Sequence, residues 1–187
     1  MTVNPLIFKT RKSDESKKAI KKICNLLPEN SKVIEIGSYA GECTELFLKS
    51  KKISEIFCID PYENYFDNND LTSHICSMSL VEKEFDRKIK LYSSDFKIHK
   101  IKDTSEHTSN QFENNSIDLV YIDGLHTYEG FKSDIKNYFW KVKKFGYIGG
   151  HDFNNPRLPD VTSSILIQIG KVPTYIFPDY NWICVKH

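Results

Sequence analysis

The stretch "IDLVYIDGLHTYEGF", residues 117–131, decides how this chain folds. Ile117, Leu119, Val120, Tyr121 and Ile122 form a short apolar run rich in β-branched and aromatic side chains, the composition of a strand buried on both faces. The run breaks into Asp123-Gly124-Leu125-His126, and residues 127–144 then take up a helical period with Phe131, Ile135, Phe139 and Val142 on one face. Thr127 is placed to cap that helix, Lys141, Lys143 and Lys144 to complement its C-terminal dipole, and Gly146 to turn out of it. Packing alone does not require a carboxylate, a glycine and an imidazole at the end of a core strand.

The same strand-then-helix pattern recurs on both sides. "KVIEIGS" (32–38) reads as a strand running into a glycine turn, and "GECTELFLKS" (41–50) as the helix after it. "EIFCIDP" (55–61) is a second strand, followed by a long connection over 62–88 with a helical pattern from Leu80 to Phe85. "KIKLYSSD" (88–95) reads as a third strand, polar 102–116 as an irregular excursion, and "YIGGHDF" (147–153) as the fifth strand. "DVTSSILIQIG" (160–170) is a helix, and "PTYIFPD" with "NWICVKH" a closing hairpin turning at residues 178–181. Ahead of all this, residues 13–27 carry Ala19, Ile20, Ile23, Leu26 and Leu27 at helical spacing, ended by Pro28-Glu29-Asn30. Alternating strands and helices predict an α/β fold, a mostly parallel sheet with helices on both faces and one antiparallel strand from the C-terminal hairpin. With no repeat and no internal boundary, residues 1–187 are expected to form one domain, a helical extension over 1–30 preceding a core over 31–187.

Lys plus Arg number 26 against 25 Asp plus Glu, so the net charge of +1 gives no electrostatic case for nucleic acid or an anionic membrane. Five cysteines (Cys24, Cys43, Cys58, Cys76, Cys184) are an odd number without CxxC spacing and suit a reducing cytosol better than a disulfide framework or a zinc site. No stretch approaches the roughly 18 apolar residues of a membrane helix, and the N-terminus becomes charged before an apolar signal core develops. The expectation is a cytoplasmic protein acting on a small molecule, with a homo-oligomer left open.

In parallel α/β sheets, ligands bind beyond the carboxyl ends of the strands, where the strand order reverses. The first strand ends in Glu35-Ile36-Gly37-Ser38-Tyr39-Ala40-Gly41, the second in Asp60, the third in Ser93-Ser94-Asp95, the fourth in Asp123 and His126, and the fifth in His151-Asp152. Gly37 and Gly41 allow a sharp turn and a close ligand approach. Asp60 has the spacing to hold both hydroxyls of a ribose, which points to an adenosine-type cofactor. The loop lacks the GxGxxG of dinucleotide sites: Tyr39 stands where the middle glycine would be, and Glu35 precedes it. A carboxylate there is unfavourable to a pyrophosphate and tolerable near a cationic ligand, which favours S-adenosylmethionine over NAD.

"VIEIGSYAGECTELFL", "IFCIDPY" and the run from Ile117 to Phe153 resemble the successive motifs of class I S-adenosylmethionine-dependent methyltransferases. The match is to the branch with an "IDGxHxYE…D…GGxxxxHD" signature, which includes small-molecule O-methyltransferases of the macrocin and cephalosporin-tailoring kind. The resemblance covers about residues 30–155. It implies a Rossmann-like seven-stranded sheet, with Glu35, Gly37, Ser38, Tyr39 and Gly41 around the methionine part of the cofactor, Asp60 on the ribose, and Ser94 or Asp95 near the adenine. It further implies Asp123 and Asp152 as ligands of Mg²⁺ and His126 as general base, with Asp123 at the junction of cofactor and acceptor. His151, the third expected metal ligand, stands where the better-known metal enzymes carry a carboxylate.

Such a site would methylate a small hydroxylated acceptor. Residue by residue, other readings stay open: Asp123 as a helix cap, His126 as a first-turn hydrogen-bonding residue, His151-Asp152 as a turn. Glu129 and Asp134 read as dipole complement and solvated helix face, and Tyr62, Tyr65 and Phe66 as candidates for an acceptor pocket. Two other functions remain in play, an NAD-linked oxidoreductase and a cofactor-binding module without turnover.

Overall fold

A computed structural model describes residues 13–65 and 77–187. Seven strands form one sheet in the order β3-β2-β1-β4-β5-β7-β6. The strands are β1 (Ser31–Ile36), β2 (Ile53–Ile59), β3 (Lys97–Ile101), β4 (Ile117–Ile122), β5 (Val142–Gly150), β6 (Tyr175–Ile176) and β7 (Trp182–Val185). β1 to β5 pair in parallel, while β7 runs antiparallel to β5 and to β6. The switch point lies at β1: the chain proceeds outward to β2 and β3 on one side and returns to β4 and β5 on the other.

Successive side chains on a strand point to opposite faces, and each face is covered by its own helices. Val33, Leu119 and Tyr121 pack with Ile20 and Ile23 of α1 (Asp14–Leu26), Phe47 and Leu48 of α2 (Glu42–Lys49), and Val81 and Phe85 of α3 (Met78–Ile89). Ile34, Ile36, Val120 and Ile122 pack with Phe131 and Ile135 of α5 (Tyr128–Tyr138) and Val161 and Ile165 of α6 (Pro159–Ile169). A two-residue period on each strand and a 3.6-residue period on each helix thus converge on two apolar layers. This is why β4 is buried along its whole length.

Three sequence expectations need correction. "KIKLYSSD" is not the third strand. Val81, Phe85 and Lys88 continue one buried helical stripe to the end of α3, and residues 90–96 form turns before β3. The true strand, "KIHKI", is an exposed edge with a single neighbour, so it carries little apolar signal. The helix after β4 stops at Tyr138 rather than near residue 144, because Val142 already pairs with Ile117 and opens β5. Lys143 therefore belongs to a strand, bonded to Asp118 at 2.7 Å, and Gly146 lies inside β5. Residues 102–116 are less irregular than expected, since α4 (Ser105–Thr108) and a 3₁₀ turn (Ser109–Gln111) bury Thr108 and Ser109.

The C-terminal hairpin is tied to the sheet by polar contacts within its core. Asn181 is fully buried and accepts the Tyr121 hydroxyl at 2.8 Å, while the Trp182 indole donates to the His151 carbonyl at 3.1 Å. Ser13, which caps α1, also donates to Asp179 at 3.0 Å. These bonds set the hairpin turn beside the ends of β4 and β5.

Candidate active site

At the carboxyl end of the sheet, above β1 and β4, lies a cavity of about 700 Å³. Its floor is the turn that leaves β1. Gly37 has φ +83°, and a β-carbon there would stand 2.1 Å from the Asp123 carbonyl oxygen. The glycine is thus required by the close passage of the chain leaving β4, a stricter demand than ligand access. Gly41, at φ +79°, turns the loop into α2.

Tyr39 and Tyr62 are also left-handed, at φ 46° and 50°. Side chains rarely adopt that region, and here both backbones use it to aim their amides at one group. The Tyr39 N–H donates to Asp60 Oδ2 and the Tyr62 N–H to Oδ1, each at 2.8 Å. Burial raises the Asp60 pKa from its usual value, while those two amides pull it down. Each oxygen keeps a second lone pair for a ligand hydroxyl. Glu35 is buried and accepts the Thr44 hydroxyl at 2.5 Å. It lines the cavity together with Ser38, Tyr39 and Glu42, whose carboxylate lies 3.8 Å from the Lys88 ammonium.

On the other side of β1, the ends of β4 and β5 bring four polar residues together. His126 Nε2 lies 3.0 Å from Asp152 Oδ2 and 3.7 Å from Asp123 Oδ1. His151 Nδ1 lies 3.0 Å from Asp152 Oδ1, and its Nε2 is 3.7 Å from Asp179 on the hairpin turn. Burial pushes the Asp152 carboxyl up, but hydrogen bonds from His126 and His151, with the charge of His151, outweigh this and hold it well below the usual carboxylate range. One ligand atom each from Asp123, His126 and Asp152 lie within 4.8 Å of one another, a spacing suited to a single cation. His151 Nδ1, expected from sequence as a ligand, also lies 3.9 Å from Asp123 Oδ1 and so borders the same group, to which His126 brings a second imidazole.

Glu35, Gly37, Ser38, Tyr39, Asp60, Asp123, His126, His151 and Asp152 all converge on the cavity, whereas Gly41 shapes the loop behind it. Ser94 and Asp95 do not converge. They are exposed in the turns before β3, at the opposite end of that strand, because the third strand begins later than its apparent period. Tyr65 lines the cavity, Tyr62 is buried against Phe85, and Phe66 lies outside the described residues. In this chain Gly149-Gly150 runs directly into His151-Asp152, without the four intervening residues of the signature.

Sequence reasoning missed Asp134. Expected on a solvated face, it is 4% exposed and lines the cavity, accepting a hydrogen bond from Ser105. Burial pushes its carboxyl up to about 7, with the Ser105 bond opposing and the charge of Glu106 reinforcing. Its position was readable on the helical wheel, one residue before Ile135 and three after Phe131, at the margin of the buried face.

Comparison with known proteins agrees with this geometry. The profile of a family described as a methyltransferase domain matches residues 34–153. An uncharacterized protein of Acanthamoeba polyphaga mimivirus is 31% identical over 150 residues, which span 77% of this chain and 64% of that protein. Among solved structures, the O-methyltransferase NovP superposes with a TM-score of 0.68 at 15% identity, over 92% of this chain and 79% of its own. The calicheamicin methyltransferase CalS11 gives 0.66 at 13% identity, over 99% and 86%. Spermidine synthase from Thermotoga maritima gives 0.61 at 15% identity, over 92% of this chain but only 59% of that one. At these identities the structures establish the shared fold. No helix among the described residues is long and apolar enough to cross a membrane.

Proposed function

Because the chain belongs to this methyltransferase-domain family, we propose that it transfers the methyl group of S-adenosylmethionine to a hydroxyl of a small molecule. The observation that carries this reading is that one cavity holds both Asp60, clamped by two amides, and the Asp123–His126–Asp152 group. The first suits a ribose, and the second suits the handling of a proton. Fold neighbours that are O-methyltransferases support the hydroxyl acceptor.

S-adenosylmethionine supplies a methyl group already activated on a sulfonium, so the protein mainly positions the acceptor and receives its proton. The cavity fits such a ligand in size and donor set: Asp60 for the ribose, and Glu35 and Glu42 beside the cationic end. His126 is the base. With Nε2–H donated to the ionised Asp152, the proton sits on that nitrogen and Nδ1 is the basic one. Taking up the hydroxyl proton makes an imidazolium, which the Asp152 and Asp123 carboxylates stabilise.

Two carboxylates and an imidazole also fit a divalent cation, which Asp123, His126 and Asp152 would hold; bound there it would lower the pKa of an acceptor hydroxyl. His126 Nε2 must lose its proton to become a ligand, so cation affinity is expected to rise with pH.

Calorimetry with S-adenosylhomocysteine tests the cofactor half, and absence of binding at high micromolar concentration would sink it. Transfer of labelled methyl groups to a panel of hydroxylated acceptors, with EDTA or added Mg²⁺, tests the rest. Full activity in EDTA would leave His126 as the base and remove the cation from the reaction.

A further inference from the structure

The net charge of +1 over the whole chain hides a strong local asymmetry. Nine acidic residues line the cavity, and no lysine or arginine does so among the described residues. Glu63 and Glu106 are exposed and screened by solvent, but the other seven are buried or half-buried. Lys88, whose ammonium lies 3.8 Å from Glu42, is not part of the lining. Low-dielectric walls that carry one sign of charge focus its field on whatever enters. The proposed cofactor answers part of that field, since its sulfonium, ammonium and carboxylate bring a single net positive charge to Glu35, Glu42 and Asp60. Asp179 is outside that set and outside the Asp123–His126–Asp152 group. It sits on the hairpin turn at the second nitrogen of His151, whose Nδ1 is 3.0 Å from Asp152 Oδ1 and whose Nε2 is 3.7 Å from Asp179 Oδ2. The Ser13 hydroxyl donates to the same oxygen, and the bonds from His151 and Ser13 hold the carboxyl below the usual carboxylate range despite its partial burial. The side chain keeps 27% of its surface exposed, so an incoming group can reach it.

A phosphate or carboxylate on the acceptor would enter this space with no cation to meet it, and burying an unpaired anion among carboxylates is costly. A protonated amine would find a fixed, ionised partner. We propose that the acceptor carries a protonated amine in addition to its hydroxyl, and that Asp179 binds the ammonium and thereby sets the charge class of the substrate. The inference rests on the methyl-transfer reading and narrows its acceptor from any small hydroxylated molecule to a hydroxylated amine. Contacts of 3.7, 3.0 and 3.0 Å lead from Asp179 through His151 and Asp152 to His126, so the ammonium site and the base lie at one end of the cavity.

The experiment uses two pairs of probes that share a hydroxylated frame and differ in the sign of one charge: dopamine against 3,4-dihydroxyphenylacetate, and glucosamine against glucuronate. Dissociation constants are measured by calorimetry at pH 7.5 on protein saturated with S-adenosylhomocysteine, in EDTA so that no metal chelated by the catechol contributes. In at least one pair the amine is expected to bind about tenfold tighter or more, the value of a hydrogen bond between charged partners. In Asp179→Asn that preference should fall to about threefold or less. Asparagine tolerates the left-handed backbone of residue 179, at φ 58°, and can still accept from Ser13, so a purely structural role for Asp179 would leave the preference intact. Asp160→Asn, which removes an exposed carboxylate outside the cavity, should keep the wild-type preference. Equal affinity within a pair that binds, preference for its carboxylate, an undiminished preference in Asp179→Asn, or no binding of any probe below about 10 mM would each overturn the proposal. Failure of S-adenosylhomocysteine to bind would instead sink the cofactor reading, a result independent of the probe preference, which is also measured on the ligand-free protein.

Discussion

Replacing Asp134 with asparagine keeps the shape of a side chain in an almost dry wall and removes its ability to ionise. In the folded wild type its carboxyl is pushed up to about 7, mainly by burial, from an ordinary value of 3.8. Between those two values the folded state holds a proton that the unfolded chain has released. The slope of unfolding free energy with pH is therefore negative, about 1.4 kcal/mol per unit. The relative stabilisation is fully present below about pH 4 and is gone once pH passes 7. From pH 5 to pH 8 the ligand-free protein should lose about 2.5 kcal/mol through this residue, out of roughly 4 kcal/mol for the whole shift. For a chain of this size that corresponds to about 5–10 °C in Tm.

Asp134→Asn removes this loss and leaves Asp60, Asp152 and the histidines unchanged, so the difference between the two curves isolates residue 134. The assay is urea or thermal unfolding of both proteins at half-unit steps from pH 5 to pH 8.5. The variant is expected to gain on the wild type as pH rises, with the gap levelling off above pH 7.5. Parallel curves would show that the Asp134 carboxyl ionises as it does in water, and would refute the argument from its burial.

Other outcomes follow from single contacts. Asp60→Ala leaves the Tyr39 and Tyr62 amides without their acceptor and removes the ribose partner; S-adenosylhomocysteine affinity should fall about 100-fold, and a drop under threefold would contradict the clamp. His126→Gln should lower kcat by 10²- to 10⁴-fold, on the order expected of a general base, with cofactor affinity nearly unchanged. Asp152→Asn should lower kcat too and move the acidic limb of the pH–rate profile to lower pH, since the carboxylate orients His126 and stabilises its imidazolium; an unmoved profile would count against that role. Gly37→Ala sets a β-carbon 2.1 Å from the Asp123 carbonyl oxygen in a left-handed backbone, so a loss of about 3 kcal/mol or more in unfolding free energy is expected.

Much of the cavity could be read before any tertiary contact was known. Glu35 sits in an apolar run, one residue before the end of β1, and Asp60, Asp123, His126 and Asp152 sit just past such runs, whose ends face one another in a parallel sheet. The misreadings came from places where local pattern and environment diverge. Residues 88–91 alternate like a strand, but Lys88 ends the buried stripe of α3 and Leu91 is exposed in the turns that follow, while the real β3 is an edge strand that needs few apolar residues. Asp134 looked solvated because a carboxylate at the margin of a helix face usually is, and only the approach of Ser105 from another element encloses it.

By itself the sequence determined the α/β architecture, the antiparallel tail and the polar residues at the strand ends, because periods of 2 and 3.6 and strand-terminal chemistry are written within short segments. Tertiary structure decided which of those groups meet. It brought both His126 and His151 to Asp152, enclosed Asp134, and sent Ser94 and Asp95 to the opposite end of β3. Distances between residues far apart in the chain depend on register and crossover, and burial depends on what the rest of the chain packs alongside. Neither is set by neighbours in sequence.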